Sequence, residues 1–134
     1  VTRFPEQLPA NLPPEIRHVA YVPFSQVLPR CKALVHHGGI GTVAQGLAAG
    51  VPQLVMAMSH EQPDNGYRLA RLGLSAYLYP KAFTPGRVAD ALARLTVSPY
   101  VGAACRECRV RIAEQMPEEA VFRLLDEAHR TACG

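Results

Sequence analysis

Val35-His36-His37-Gly38-Gly39-Ile40-Gly41-Thr42 is followed at short range by Ala48-Ala49-Gly50-Val51-Pro52 and then by Glu61-Gln62-Pro63-Asp64-Asn65. The apolar run Ala33–His37 has the length and flanking glycines of a buried strand. Gly38 and Gly39 let the backbone turn and let a ligand approach it closely. A helix is expected to open at Thr42 and to end at Gly50. Its first amides have no partner inside the helix, so they face any bound phosphate. Gly39-Ile40-Gly41-Thr42-Val43-Ala44 nearly completes a Gly-x-Gly-x-x-Gly pattern. No acidic residue closes a strand about 20 residues later, which argues against a dinucleotide cofactor.

Strands and helices alternate outward from this segment. Val1–Phe4 reads as a short strand, Pro5 to Pro14 as a proline-rich loop, and His18–Val22 as a second strand. Ser25 can cap a short helix over Gln26–Arg30, after which Ala33–His37 is a strand and Thr42–Ala49 a helix. Pro52–Ala57 is the next strand, Pro63–Leu72 an amphipathic helix closed by Gly73, and Ser75–Leu78 another strand. Thr84 can cap a helix reaching about Leu95, and two further helices are expected over Tyr100–Glu114 and Glu118–Ala132. The last carries Val121, Leu124, Leu125 and Ala128 on one face. Alternation over short loops predicts an α/β fold, a Rossmann-like parallel sheet flanked by helices. In such a sheet ligands sit beyond the carboxyl ends of the strands. His37 and Gly38 lie at such an end.

Composition narrows the function. A chain of 134 residues is one domain, able to bury roughly 68% of its unfolded surface. It has no apolar run near the ~18 residues of a spanning helix and no secretory n-region. The expectation is a soluble, cytoplasmic chain with at most peripheral membrane contact. The net charge of +3 comes from arginines scattered over the later helices. Without a dense basic block or interleaved aromatics, nucleic acid is not an expected partner. Cys105 and Cys108 have the C-x-x-C spacing, but helix neighbours at i and i+3 simply share a face, and no second pair or knuckle glycine accompanies them. Strand alternation sends His36 and His37 to opposite faces, so no metal site is expected.

The chemistry of the turn suits an anion cradle; the alternatives are that Gly38-Gly39 marks only tight helix-to-sheet packing and that His37 is a structural histidine. Amides from Gly39 to Val43 are candidate donors to a diphosphate. Each hydrogen bond to a charged group contributes about 1.5–3 kcal/mol and the helix terminus about 0.3–1 kcal/mol, enough together for micromolar binding. The Thr42 hydroxyl is a candidate to cap the empty helix or to donate to a phosphate oxygen. His37 can donate an imidazole proton to the same diphosphate. Gln62, ahead of a helix, has little packing reason to be polar, while Tyr21 reads equally well as a core aromatic.

These segments, with Tyr21-Val22-Pro23 and Leu28-Pro29-Arg30-Cys31, resemble the C-terminal donor-binding domain of inverting UDP-glycosyltransferases of the GT-B fold. The resemblance covers about residues 18–115. The double histidine before the glycines is most similar to the bacterial and fungal branch that glycosylates sterols, macrolides and flavonoids. It implies that Tyr21 stacks on the nucleobase, that the Val22 backbone reads its edge, and that His37, Gly38, Gly39, Gly41 and Thr42 form the diphosphate cradle. Gln45 stands where many relatives carry a ribose-gripping glutamate, and an amide lacks the charge-assisted strength of a carboxylate. Glu61 and Gln62 match the pair that holds the sugar hydroxyls, although Glu61 is one methylene longer than the usual aspartate and Phe24 replaces a common glutamine.

The same resemblance implies that residues 1–134 are a partial nucleotide-sugar-binding domain whose first strand-helix unit and Gly-Ser loop lie elsewhere. Two sheet edges would then be unpaired, so re-pairing, a homodimer or marginal stability is expected. It places the acceptor site and the histidine base in an N-terminal domain, so no catalytic residue is expected here and these residues alone are expected to be inactive. The implied partners are a nucleotide-sugar donor, most simply a UDP-sugar, and a small lipophilic acceptor. No cofactor is implied. The alternatives are a non-catalytic nucleotide-binding or assembly module and a GT-B nucleotide-sugar epimerase.

Overall fold

A computed structural model describes residues 1–115. The helix expected over Glu118–Ala132 lies outside the described residues. Three parallel strands, β1 (Leu34–His36), β2 (Gln53–Met56) and β3 (Ser75–Leu78), form a sheet in the order β1-β2-β3. The helix α1 (Phe24–Val27) precedes β1, α2 (Ile40–Ala49) joins β1 to β2, and α3 (Gln62–Arg71) joins β2 to β3. Two longer helices follow, α4 (Pro85–Val97) and α5 (Pro99–Gln115).

The central strand explains the pattern of burial. Leu54 and Val55 of β2 are fully buried because both faces of this strand are covered, as a parallel strand between two helical layers requires. On one face Val55 and Ala57 pack with Val43 of α2, Leu69 of α3, Leu74 and Cys105 of α5. On the other, Leu54 packs with Ala91 and Leu95 of α4. The crossover helices α2 and α3 thus share one face, as crossovers of a single hand demand. Gly50, at φ +69°, ends α2 in the left-handed region and turns the chain into β2. Pro63 opens α3, and Arg68 and Arg71 lie in its last turn, where cations suit the helix dipole.

Two expected strands do not form. Between Val1–Phe4 and His18–Val22 a single backbone bond runs from Thr2 N to Val19 O at 3.3 Å. The Phe4 amide turns instead to Thr2 Oγ1 at 3.1 Å, and the Thr2 carbonyl bonds the His18 ring at 2.8 Å. Local side-chain partners have replaced a ladder, and Pro5 and Pro23 end both segments without donors. The helix expected over Gln26–Arg30 is a short α1 continued by a 3₁₀ turn at Leu28–Arg30, with Pro23 rather than Ser25 at its N-cap. Thr84 sits at the N-cap of α4 without a side-chain cap bond.

Candidate functional site

The carboxyl ends of β1 and β2 meet the N-terminus of α2. Here α2 opens two residues earlier than expected: Gly39 is the N-cap, at φ −63° and ψ 138°, and no side chain caps the helix. Thr42 is the third helical residue, inside the first turn, so its hydroxyl does not serve as the cap. The shift changes which amides are free. Thr42 N and Val43 N both donate to the Gly39 carbonyl at 3.0 Å, so neither is a free donor. Gly39, Ile40 and Gly41 have no backbone partner for their amides among the described residues. The donor set is therefore three residues, 39–41, rather than the five from Gly39 to Val43.

The mouth of the helix is open. His37 is exposed, and its ring folds over the turn: a side chain at Gly39 would put its Cβ 2.7 Å from His37 Nε2. A Cβ at Gly41 would meet nothing within 4 Å among the described residues. Gln45 lies one turn further along the same face of α2, about 6 Å up the helix axis. It lines a cleft of about 470 Å³ together with Tyr21, Val22 and Phe24. Tyr21 is 72% exposed, so it is a cleft-wall aromatic and not a core one.

The turn itself is held from two sides. Gly38, at φ +94°, occupies a region closed to most side chains, and a Cβ there would sit 2.7 Å from Val55 Cγ1. Its carbonyl accepts from Asn65 Nδ2 at 3.0 Å, which ties α3 to the turn. Its amide donates to His36 Nδ1 at 3.1 Å. An amide can only donate, so His36 Nδ1 carries the lone pair and Nε2 the proton, which goes to Gln53 Oε1 at 2.8 Å. Gln53 is fully buried, and its Nε2 donates to the Val43 carbonyl at 3.4 Å. Gly46 leaves the room this carboxamide occupies, since a Cβ there would lie 2.6 Å from Gln53 Cδ.

Glu61 is exposed just before α3 and makes no cap bond. Gln62 lies against Gly38 and is already engaged, its Oε1 accepting from Met58 N at 3.0 Å and Ser59 N at 3.4 Å. Only its Nε2 protons remain to face a ligand. His36, Gln53 and Asn65 had no expected role. Asn65 and His36 stood inside the quoted segments, but nothing local marked their partners.

Burial holds the His36 imidazole below its ordinary value of 6.5, with neighbouring His37 acting the same way against the opposing bond to Gln53. The folded chain thus disfavours the imidazolium that the unfolded chain accepts below about pH 6.5. Stability is expected to be complete above that pH and to fall as the pH drops from it through the lowered folded value. Urea midpoints measured between about pH 5 and 8 check this. The fall is expected to shrink in His36→Asn, and an unchanged slope in that variant would assign it to another group. Burial likewise raises the Cys105 and Cys108 thiols, keeping them protonated.

Residues 3–126 match the family described as Erythromycin biosynthesis protein CIII-like, C-terminal domain. The chain belongs to this family. It is 35% identical over 99 residues to 10-deoxymethynolide desosaminyltransferase of Streptomyces venezuelae, covering 74% of this chain and 23% of that protein. It is 34% identical over 122 residues to erythronolide mycarosyltransferase of Saccharopolyspora erythraea, covering 90% and 29%. The crystal structure of glycosyltransferase VinC in complex with DTDP superposes with a TM-score of 0.76 at 33% identity, over 90% of this chain and 31% of VinC. The chain therefore spans less than a third of the length of these relatives. Its fold is that of the C-terminal half of GT-B glycosyltransferases.

Proposed function

We propose that this chain is the donor-binding half of a glycosyltransferase that moves a sugar from a nucleoside diphosphate to the hydroxyl of a lipophilic acceptor. One observation carries the reading: three amides at an open helix mouth with no backbone partner among the described residues, and the exposed His37 imidazole beside Gly39. A diphosphate there meets the positive end of the α2 dipole without losing all its solvation. The nucleobase then lies along α2 toward Tyr21 and the Val22 backbone, with Gln45 reaching the ribose. On the other side, Glu61 accepts from the sugar hydroxyls and the free Nε2 of Gln62 donates to them.

Transfer follows by attack of the acceptor oxygen on the anomeric carbon with inversion. The bond from that carbon to the diphosphate oxygen breaks and its electron pair leaves with the diphosphate. Amides 39–41 and His37 act where this negative charge grows, so they stabilise the transition state more than the ground state. The acceptor and the base that takes its proton belong to an N-terminal domain. The relatives' acceptors, 10-deoxymethynolide and erythronolide, support a lipophilic alcohol. The resemblance implies a uridine donor, whereas VinC was solved with DTDP, which supports thymidine as the first base to test.

Calorimetric titration of the full-length protein with TDP, UDP and GDP tests this. Three charge-assisted hydrogen bonds and a helix terminus predict a Kd of about 1–100 μM for TDP or UDP. Failure of all three nucleotides to bind at millimolar concentration would overturn the assignment.

A further inference from the structure

His36 makes no contact that the reading above requires, yet it is the side chain most deeply wired into the turn. The parallel register explains how. His36 pairs with Val55 and Leu34 with Gln53, so His36 and Gln53 are diagonal neighbours on one face of the sheet. Each link in the chain from Gly38 N through His36 and Gln53 to Val43 O has one possible direction once the Gly38 amide donates. The chain joins the turn, both strands and the first turn of α2.

We propose that His36 is a positioning residue for the diphosphate cradle. Its unprotonated Nδ1 holds the Gly38 amide two residues on, fixing the positive-φ turn that aims amides 39–41 and His37 at the ligand, while Gln53 holds the ring. The proposal rests on the donor-binding reading for its ligand, but the brace itself is observable without one.

The bond from Gly38 N to residue 36 spans two residues, the geometry of an Asx turn. Asparagine at 36 can therefore replace the Gly38 acceptor with Oδ1 while leaving Gln53 without its partner. Glutamine, one methylene longer, can instead replace the donor to Gln53 while reaching past the Gly38 amide. A brace and a merely buried polar pair thus predict opposite rankings. In the full-length protein, His36→Asn is expected to bind TDP or UDP within about threefold of the wild type and His36→Gln at least about tenfold more weakly, a difference of about 1.4 kcal/mol. Hydrogen exchange at the Gly38 amide is expected to quicken by about tenfold or more in His36→Gln and to stay near wild type in His36→Asn.

Affinity in the wild type is also expected to fall as the pH drops through the folded value of His36, which burial holds below 6.5, because a proton on Nδ1 would face the Gly38 N–H, and this loss is expected to be absent in His36→Asn. Among the described residues His37 is the ionisable neighbour acting on the ring; the groups contributed by the other elements, Gln53 and the Val43 carbonyl, do not titrate. If His36→Asn does not fold, the pair His36→Asn/Gln53→Met removes the orphaned acceptor and takes its place. Equal loss of Gly38 protection in both variants, or protection retained in His36→Gln, would overturn the proposal. Protection that follows the expected ranking in a protein that binds no nucleotide would uphold the brace and reject the donor-binding reading alone.

Discussion

Replacing His37 with alanine in the full-length protein is expected to lower kcat by about 10²–10³-fold, with a much smaller change in nucleoside diphosphate affinity. The size is that of removing one preorganised donor from a developing negative charge. The asymmetry has a structural cause. In the ground state the diphosphate keeps the amides of residues 39–41 and is open to water, since His37 is exposed and no described residue fills the space beside Gly41. As the bond to the sugar breaks, charge builds on the departing oxygen, and a hydrogen bond to it strengthens as the reaction proceeds. Steady-state kinetics with TDP- and UDP-sugars, paired with calorimetry, separate the two effects. A raised KM with unchanged kcat would reduce His37 to a ground-state ligand.

Gly38→Ala is expected to cost about 2–5 kcal/mol of folding stability. Left-handed backbone costs an L-residue about 1–2 kcal/mol, and inserting a methyl into a packed site about 1–3 kcal/mol. Both apply because Gly38 has φ +94° and its Cβ would lie 2.7 Å from Val55 Cγ1 and 3.3 Å from Gln62 Cβ. Val55 cannot give way easily, being fully buried in the central strand. Gly41→Ala is the control. Its Cβ would enter open space on a helix, so stability is expected to hold or rise by up to about 1 kcal/mol while nucleotide binding weakens through obstruction of the mouth. Urea unfolding of the two variants makes the comparison. A loss below about 0.5 kcal/mol for Gly38→Ala would mean that the turn relaxes out of the left-handed region.

Much of this architecture was legible because it rests on local rules. The apolar run before Gly38, the stop at Gly50 and the turn at Gly73 marked β1, α2 and α3 to within two residues. The segments Val1–Phe4 and His18–Val22 looked equally strand-like, but a strand exists only where a partner completes its ladder. Side-chain bonds from Thr2 and His18 met that need more locally. The site was legible in place and incomplete in wiring. His37 and the glycines fell where expected, whereas the donors narrowed to residues 39–41 once Gly39 took the cap.

By itself the sequence determined the order of the elements from β1 to α5, the parallel sheet and the end of it that carries the glycine turn, because periodicity, helix stops and glycine placement act over a few residues. Only the tertiary structure decided that His36 turns inward to Gln53 while His37 stays at the surface, that Gln62 spends its acceptor on the loop of Met58 and Ser59, and that Asn65 holds Gly38. The bonds of His36 to Gln53 and of Asn65 to Gly38 join residues 17 and 27 positions apart. Such partners meet only after β1, β2 and α3 have packed, so no local pattern of residue types could announce them.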